Sequence, residues 1–499
     1  MNQAELLANI RKAQGASNPE LLKSWTQPGS ATSGLAAYDL QAPALTLFPV
    51  LTPLRNRIPR VGGFGGIQAN WRAVTGINTG GLNIGVAQGQ RNAQIVETTA
   101  DYFAAFRGIG LENNVTFEAQ YAGQGYEDVR ARATRDLLMA TMIGEESMIL
   151  GGDTSVNMGV TPTPTVADVG TGGTLPFNTQ YSVIVVALAY DAYWNLAGLN
   201  NGFTGVTFNV GTAQIAGQIN RTNVDGTTTS YGSGTAQKSA NATRTTANDS
   251  NNTHSLSCTV TAVPNAVAYA WFWGAAGSET LGALTTTNKL TITANATGTQ
   301  LASSLTAADY STNQLEFDGL LTQISKSGSG SYVKSLDGAG LTSDGAGGIV
   351  EIDTAFSSFW QLNRLSPDTI YVNSQQLLEM NKLVIAGGGA PLYRFNLDAA
   401  DPSVIDAGAV IGSYLNKITN QKVRVIVHPT MPPGTIMFYS SSIPYPLSGV
   451  GDVLRILTRQ DYYQIEWPLV TRQWQSGVYA DEVLQCYFTP AFGKISNIA

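Results

Sequence analysis

The pattern of hydrophobic and polar positions divides this chain into segments of different period. Within residues 57–106, two strand-like stretches, Trp71–Val74 and Gln94–Thr98, flank a glycine-rich stretch over 76–89. This arrangement predicts an extended hairpin with a flexible tip. Because an isolated two-stranded ribbon is marginally stable in water, we expect this hairpin to lie on a neighbouring molecule.

A long helix is predicted next, over about residues 126–150. Small and apolar residues recur at helical spacing and form one narrow face: Val129, Ala133, Leu137, Ala140 and Gly144. About 24 residues of helix give a rod of roughly 36 Å. Glu145 and Glu146 are adjacent and therefore point about 100° apart on a helix, so they cannot form an acid–base pair. We expect them to be solvated or to contact another subunit.

Residues 154–308 carry few charges and are rich in Thr, Asn and Gly. Short apolar runs separated by turn residues predict strands at Gln180–Tyr190, Gly205–Val210, Ser255–Val263, Ala266–Trp273 and Lys289–Ala294. Short strands at this spacing favour a β-sandwich. The run Tyr269–Trp273 resembles the aromatic strand of a fibronectin type III or immunoglobulin-like module. The polar stretch Gly226–Asn252 is predicted to be a long mobile loop.

The two ends of the chain have other patterns. Residues 1–52 are predicted to be an arm with a short helix over Ala4–Lys12 and an extended continuation. Beyond residue 309 helices and strands mix: helices at Ile352–Arg364 and Ser374–Ile385, strands at Thr369–Val372 and Val423–Val427, a loop at Gly387–Gly389, and closing strands at Val453–Leu457, Tyr462–Trp467 and Val483–Phe488. The fold class expected for the whole chain is therefore α+β.

Composition excludes several functions. The 499 residues carry a net charge of −7, and no basic stripe is present that would grip a nucleic-acid backbone. Met1–Glu5 does not begin a signal peptide, and Val183–Tyr190, the longest apolar run, is too short to span a bilayer. Cys258 and Cys486 are interpreted as buried thiols, with a disulfide or reactive thiol as the alternative.

Candidate catalytic residues are few. His254 and His428 are the two histidines. His428 is interpreted as a structural residue at a strand end; a Ser-His-Asp arrangement around it stays open, although no G-x-S-x-G elbow supports it. Asp461 and Glu466 could suggest a glycosidase, but residues five apart on a strand point to opposite faces.

Ligand-binding motifs are equally weak. The run Gly62–Gly66 lacks the Lys-Ser/Thr of a phosphate-binding loop and does not open a helix. Asp337–Gly338 and Asp344–Gly345 are turn signals, with a calcium site as the alternative. The sequence therefore predicts no catalytic residue, no cofactor and no metal site.

The order of these parts, together with short local phrases, resembles the major capsid protein of tailed bacteriophages, which has the Hong Kong 97-type fold. The phrases are Glu316–Leu321, Met431–Phe438, Arg459–Asp461 with Ile465–Glu466, and Pro490–Phe492. The resemblance covers the chain outside residues 154–308. It implies a non-enzymatic protein that forms hexamers and pentamers in an icosahedral head shell around double-stranded DNA, assembled in the bacterial cytoplasm.

The resemblance also implies a division of the chain: an N-terminal arm (1–52), an extended loop (53–106), a peripheral domain with a spine helix (107–153), an inserted immunoglobulin-like β domain (154–308), an axial domain (309–450) and the C-terminal strands of the peripheral domain (451–499). The polar face of the insertion is expected to project outward from the shell. Implied partners are other copies of the chain, a scaffolding protein, a portal at one vertex, a decoration protein and DNA packaged without sequence-specific contacts; no membrane is implied.

Two departures from the family pattern lead to further expectations. Some members join neighbours covalently through a lysine of the extended loop, but no lysine occurs between Lys23 and Lys238. We therefore expect a non-covalent shell. The N-terminal segment lacks a long charged stretch that could act as a scaffold, so we expect a separate scaffolding protein. The alternatives are a tail tube or surface adhesin with an immunoglobulin-like domain, and an enzyme with a β-sandwich accessory domain.

Overall fold

The computed structural model describes residues 50–63, 65–77, 84–92, 94–125, 127–199, 207–210, 213–305, 307–386, 411–446 and 448–499. The predicted arm up to residue 49, its helix Ala4–Lys12, part of the predicted ribbon tip and the loop Gly387–Gly389 lie outside these residues. Within the described residues, helices and strands mix as expected for an α+β chain. None of the described helices is long and apolar enough to cross a membrane.

The elements fall into three stretches of sequence. The first contains β1 (Arg60–Gly62), β2 (Gln68–Ile77), β3 (Glu97–Ala105), β4 (Arg107–Thr116), α1 (Phe117–Gly123) and α2 (Val129–Gly151). The second contains β5 (Thr165–Val169), β6 (Gln180–Leu188), α3 (Tyr190–Leu199), β7 (Thr207–Asn209), β8 (Gln218–Thr222), β9 (Thr228–Gly232), β10 (Ala242–Thr245), β11 (Ser255–Thr259), β12 (Ala268–Gly274), β13 (Thr280–Thr285) and β14 (Lys289–Ile292).

The third stretch contains α4 (Leu320–Ser325), β15 (Tyr332–Ala339), α5 (Val350–Asn363), β16 (Thr369–Val372), α6 (Ser374–Ala386), β17 (Ser413–Asn416), β18 (Gln421–Val427), β19 (Ile436–Tyr439), β20 (Leu454–Glu466), β21 (Gln473–Cys486) and β22 (Gly493–Ile498). Both helices predicted in this stretch are confirmed with boundaries shifted by a few residues. The five predicted strands correspond to four, because Val453–Leu457 and Tyr462–Trp467 both belong to β20.

The predicted hairpin is confirmed as a ribbon of β2 and β3. The strands are antiparallel and run in register from Gln68 opposite Ala105 to Ile77 opposite Glu97, with one shift between Val74 and Gly76. In the described part of the chain these two strands pair with each other and with no further strand. The ribbon therefore stands apart from the sheets of the body.

The long helix α2 is confirmed, and it starts where the side chain of Asp128 accepts hydrogen bonds from the Arg130 and Ala131 amides. The face predicted to be buried is wrong. Ala140 and Gly144 are exposed, whereas the buried positions are Leu137, Thr141, Glu145, Glu146, Ile149 and Leu150. Glu145 and Glu146 can be buried because cations and hydrogen-bond donors from distant segments contact their carboxylates.

Helix α2 packs on a four-stranded sheet of order β1-β20-β21-β4. Strand β1 is parallel to β20, and the other pairs are antiparallel. Strand β4 lies at the edge of this sheet and pairs with β21 over its whole length. Among the described residues, no strand pairs with the outer edge of β4.

A second module is a six-stranded mixed sheet of order β15-β22-β19-β16-β18-β17. Its core is aromatic: the ring centroids of Phe359 and Phe356 lie 5.7 and 5.9 Å from that of Phe438, and all three rings are buried. Edge-to-face geometry of this kind adds about 0.5–1.5 kcal/mol per pair beyond simple burial. The module is therefore anchored by helix α5 on the centre of its sheet.

Residues 154–308 form a five-stranded sheet of order β10-β6-β12-β13-β7 and a three-stranded sheet of order β14-β11-β5. Alternate residues of β6 and β12, such as Val185 and Trp271, share a core with Leu256 and Ile292 of the smaller sheet. The residues between them, such as Val186, belong to the core that this region shares with the rest of the subunit. Because both faces of these central strands are buried, they appear in the sequence as continuous apolar runs.

The mobile loop predicted over 226–252 is wrong. This stretch contains β9 and β10, and the residues between them are largely buried. Ser239 accepts a hydrogen bond from the Val185 amide at 2.9 Å, and Thr235 donates to the Ala216 carbonyl at 2.7 Å. Hydroxyl groups that are paired in this way can be buried, so a polar composition did not imply a loop.

Candidate assembly surfaces

The β2–β3 ribbon exposes an unusual number of apolar side chains. Ile84 is 90% exposed, Ile67 80% and Phe103 72%. Further exposed apolar residues on the ribbon are Val74, Ile77, Val86, Ile95 and Val96. A concentration of exposed large apolar side chains in one segment marks a candidate site of contact with another molecule.

The base of the ribbon is held firmly. The Trp71 ring stacks on Tyr102 across the strands at 5.9 Å and meets the edge of Tyr487 at 6.2 Å. Arg72 and Asp101 form an exposed ion pair with an N–O distance of 2.5 Å. The base of the ribbon is therefore fixed to the four-stranded module through Tyr487, which directly follows β21.

Three arginines just before the ribbon, Arg55, Arg57 and Arg60, tie the two modules together; we call them the arginine clamp. The Arg57 guanidinium binds Asp368 of the six-stranded module at 2.6 Å and lies 4.5 Å from the centroid of the Tyr439 ring. Arg55 binds Glu145 of α2 at 2.6 Å. The segment preceding the ribbon thus contacts both modules.

Arg60 contacts three carboxylates of the four-stranded module. It binds Glu482 at 2.6 Å and Asp461 at 2.8 Å and also contacts Glu145. The side chains of Glu145 and Glu482 are fully buried. Burial, reinforced by the neighbouring Glu145, raises the pKa of Glu482 to about 8. Arg60 therefore faces two buried acids, Glu145 and Glu482, and Glu482 holds a proton near neutral pH.

Glu146 is the second buried acid of α2, and its three hydrogen-bond donors come from two distant segments of the chain. Its carboxylate accepts hydrogen bonds from the Leu54 amide at 2.9 Å, the Arg55 amide at 2.7 Å and His428 Nε2 at 2.7 Å. The expectation that Glu145 and Glu146 are solvated or lie between subunits is wrong for both, because each is satisfied inside the subunit.

His428 lies directly after strand β18, as expected for a strand-end residue. Its Nδ1 faces the Thr430 amide at 3.3 Å and the Thr430 hydroxyl at 3.2 Å, so Nδ1 accepts and Nε2 carries the proton donated to Glu146. The Thr430 hydroxyl, the His428 imidazole and the Glu146 carboxylate follow one another as the groups of a catalytic triad do. All three groups are buried, so this chain of hydrogen bonds joins helix to sheet and offers no access to a substrate.

A groove with a volume of about 830 Å³ lies beside the outer edge of β4; we call it the β4 groove. Its floor includes Gly108 and Gly110 of β4 and Gly144 of α2. Its walls come from residues 154–308 and from the segment 313–316. The apolar residues that line it include Leu111, Trp194, Ile215, Ile219 and Leu315. Sequence patterns gave no signal for this groove because its walls come from segments far apart in the chain.

Two carboxyl groups, Asp191 and Glu316, lie together in the β4 groove. The Asn313 amide donates to both, at 3.4 Å to Asp191 and 2.8 Å to Glu316. Asp191 and Glu316 also share a side-chain hydrogen bond, which requires one of the two carboxyl groups to carry a proton. Burial raises the pKa of Asp191 to about 6, and burial beside Asp191 raises the pKa of Glu316 well above its usual range. The pair therefore binds a proton more readily than two separate carboxyl groups would.

The remaining chemical candidates are dispersed. His254 is buried, and its two ring nitrogens contact Asp168 and Asp249, each at 2.9 Å. On β20, Asp461 pairs with Arg60, and Glu466 pairs with Arg130 at 3.4 Å. The two acids thus have different partners, as expected for residues on opposite faces.

The turn acids and cysteines also have local roles. Asp344 pairs with Lys417, which lowers the pKa of the carboxyl to about 2. Asp337 accepts a hydrogen bond from Asn288 at 2.9 Å. Across the described residues, no three potential ligands are grouped as a metal ion would require. Cys258 and Cys486 are both buried and free, as predicted.

Comparisons with known proteins gave matches to structures alone. No family model and no curated protein matches the chain. The capsid of the myovirus phage XM1 matches with a TM-score of 0.40 and 8% identity, over 93% of this chain and 99% of that one. The capsid of the native GTA particle matches with a TM-score of 0.43 and 8% identity, over 93% and 96%. The major capsid proteins of phage G, solved with their decoration proteins, match with a TM-score of 0.36 and 7% identity, over 96% and 99%.

Proposed function

We propose that this chain is the major capsid protein of a tailed bacteriophage, and that it assembles into hexamers and pentamers of an icosahedral head shell. The observation that carries the proposal is the ribbon: a two-stranded sheet, firmly anchored at its base, with large apolar side chains exposed on its distal part. Such a surface is stable only when a second molecule covers it. A shell of identical subunits provides that cover.

In this proposal the modules have separate tasks. Residues 309–450, with most of the six-stranded sheet, form the axial domain around the capsomer axis. Residues 107–153 and 451–499, with α2 and most of the four-stranded sheet, form the peripheral domain. Residues 1–52 are the arm and 53–106 the extended loop that overlaps the next subunit. The arginine clamp supports this division because it fastens the start of the loop to both modules.

Residues 154–308 are, in the same proposal, an inserted immunoglobulin-like domain. The proximity of its two ends supports an insertion: the Asn313 amide donates to the Asp153 carbonyl at 2.6 Å, and the Gly319 amide donates to the Gly152 carbonyl at 2.8 Å. The shared core of its two sheets supports a sandwich. The other face of its larger sheet packs on the body, so the smaller sheet is the part that projects outward.

The proposed partners follow from this role. A scaffolding protein organises assembly, a portal occupies one vertex, and a decoration protein binds outside. DNA lies within the shell without sequence-specific contacts, in keeping with a net charge of −7. The proposed location is the virion, assembled in the bacterial cytoplasm.

Electron microscopy of the chain, expressed with and without its neighbouring virion genes, tests the proposal. Closed shells or rings of five and six subunits are the expected products. A dispersed monomer under every condition would contradict the proposal and favour a surface adhesin.

The proposed shell is non-covalent, because the ribbon region contains no lysine between Lys23 and Lys238. Purified shells boiled in denaturant should migrate as a single chain of 52.7 kDa. A ladder of multiples that survives boiling and reduction would show covalent joining by another route.

A further inference from the structure

The distal ribbon and the β4 groove are both uncovered in the single subunit, and their apolar and charged groups are complementary. We propose that the distal ribbon of one copy, residues 84–92 and 94–96, lies in the β4 groove of a second copy, adds an extended segment to the free edge of β4 and places Arg91 beside the Asp191–Glu316 pair. This inference rests on the proposed function and names the contact by which one copy joins the next.

The occupant of the groove must come from another copy. Strand β3 leads into β4 through a single residue, Phe106, so the base of the ribbon adjoins its own groove. Strand β2 has 10 residues, which at about 3.3 Å per residue places the distal ribbon roughly 30 Å from that base. The distal ribbon therefore cannot fold back onto the β4 of its own copy. A contact between different surfaces of successive copies is head-to-tail, and it forms a ring when the rotation between copies closes.

The edge of β4 offers hydrogen bonds to an extended chain. The amide of Phe117, just after the strand, donates to the Arg472 carbonyl, and residues of an antiparallel pair alternate in the direction of their backbone groups. The backbone groups of the odd-numbered residues of β4 therefore point to β21, and those of Gly108, Gly110 and Glu112 point to the outer edge, where Gly108 and Gly110 line the groove. No described residue pairs with this edge. Addition of a strand to such an edge is a common mode of protein recognition.

Apolar surface on the two sides is complementary. The distal ribbon exposes Ile84, Val86, Ile95 and Val96, and the groove presents its apolar walls beside the strand edge. The glycines of the floor have no side chains that would keep an incoming backbone away, and a Cβ at Gly144 would meet no atom within 4 Å. An extended chain can therefore lie close to both β4 and α2.

Charge is complementary as well. Arg91 is exposed on the distal ribbon and takes part in no ion pair among the described residues. In the groove, Asp191 and Glu316 share the Asn313 amide, and the nearby Lys326 is already bound to Asp318 at 2.6 Å. The Arg107 side chain donates to the backbone carbonyl of Glu316 rather than to its carboxyl group. A guanidinium from a second copy would add charged donors beside this pair of acids.

Disulfide trapping in assembled shells tests the contact. Val86→Cys and Ile95→Cys would each be combined with Ile219→Cys of the groove wall. Oxidised shells should give a ladder of multiples on a non-reducing gel, which disappears on reduction. The matched control replaces Ile219→Cys with Val224→Cys, which is fully exposed at the tip of the β8–β9 hairpin and outside the groove lining; it should give no ladder. Cys258 and Cys486 are buried, so the native cysteines should contribute few cross-links of their own.

The outcomes separate this inference from the proposed function. If shells form but neither Val86→Cys nor Ile95→Cys cross-links to Ile219→Cys, the contact is wrong and the capsid role stands. If the wild-type chain never assembles, both are wrong. Cross-links that appear within single subunits, without a ladder, would also overturn the contact.

Arg91 is tested by charge-matched variants. Arg91→Gln and Gln90→Glu each lower the net charge by one at neighbouring positions of the ribbon. We expect Arg91→Gln to reduce the cross-linking yield several-fold, Arg91→Lys to retain most of it and Gln90→Glu to leave it unchanged. Equal losses in Arg91→Gln and Gln90→Glu would show that only the general charge of the ribbon matters and would overturn the specific role of Arg91.

Discussion

At the scale of single residues, buried acids with defined partners hold this subunit together. Glu146 is 1% exposed and accepts hydrogen bonds from two backbone amides and from His428. Removing one member of a buried ionic network is costly, because the others are left without partners. Glu146 is therefore a residue on which the joining of α2, the clamp segment and the six-stranded module depends.

We predict that Glu146→Ala lowers the free energy of unfolding by about 3–5 kcal/mol, since His428 and two amides would lose their acceptor. Denaturant unfolding of the unassembled subunit measures the effect. Ser147→Ala, which alters the next residue of the same helix, is the control and should cost less than about 1 kcal/mol. Equal effects in the two variants would contradict the role given to Glu146.

The Asp191–Glu316 pair makes a different prediction, about pH. Both groups have a folded-state pKa raised by burial, to about 6 for Asp191 and well above its usual range for Glu316. Their ordinary values lie near 4, so the folded state binds protons more tightly than the unfolded state. Their contribution to stability is therefore complete below about pH 4 and is lost as the pH rises through the folded-state pKa values.

We expect the melting temperature of the unassembled subunit to fall between pH 5 and pH 8, and the fall to be smaller in Glu316→Gln, whose amide still donates to Asp191. Asp225→Asn, at an exposed hairpin tip, is the control and should retain the full fall. An unchanged pH dependence in Glu316→Gln would show that the pair does not titrate in this range.

At the scale of elements, the ribbon separates stability from assembly. Its distal apolar residues contribute little to the fold of one copy because they are exposed there. A charge placed among them should therefore leave the subunit folded. The same charge should act strongly once a second copy covers the ribbon, because an unpaired charge would then be buried.

We predict that Val96→Asp leaves the melting temperature of the subunit unchanged and abolishes shell formation. Gln94→Asp introduces the same charge two residues away at an exposed polar position, and it should still form shells. Light scattering during assembly and micrographs of the products compare the two. Shells of normal yield from Val96→Asp would indicate that this part of the ribbon stays exposed.

Elements with a strong period could be predicted from the sequence, whereas their partners could not. The ribbon and α2 follow from spacing alone, but the buried face of α2 depends on Arg55 and Arg60, which lie about 90 residues upstream. Helix α3 was not predicted, because its apolar residues continue the apolar run of β6. The change from strand spacing to helical spacing is therefore not visible in the sequence. The β4 groove, assembled from several distant segments, had no local signal at all.

At the scale of the whole molecule, residues 154–308 are integrated into the subunit rather than attached to its surface. The ring of Tyr190 lies so close to Gly151 that a Cβ at Gly151 would come within 2.1 Å of it. Ile184, Val186 and Leu188 share a core with Ile149 and Leu150 of α2. The end of α2 therefore relies on this region for its cover.

We predict that replacing Thr163–Ser304 with a short linker yields insoluble or molten protein, because part of the core of the body would be exposed to water. A milder control, shortening the β8–β9 hairpin at its tip by removing Val224 and Asp225, should leave folding intact. Solubility and near-ultraviolet circular dichroism compare the two. Well-folded, shell-forming protein from the large deletion would show that the region is dispensable decoration.

The position of the arginine clamp also determines how the shell would carry tension. The clamp ends at Arg60, and the ribbon begins at Gln68, so one part of a pull on the ribbon from a neighbouring copy passes through β1 and the other passes through Phe106 into β4. Strand β1 runs parallel to β20, and a force along it loads the hydrogen bonds of that pair in shear, together with the ion pairs of Arg60. The outward pressure of packed DNA would thus be carried by charged contacts at the junction of the two modules. Because the carboxylates of Glu145 and Glu482 are fully buried, salt screens their pairs with Arg60 only weakly, and the stiffness of such a shell should change little as the salt concentration rises.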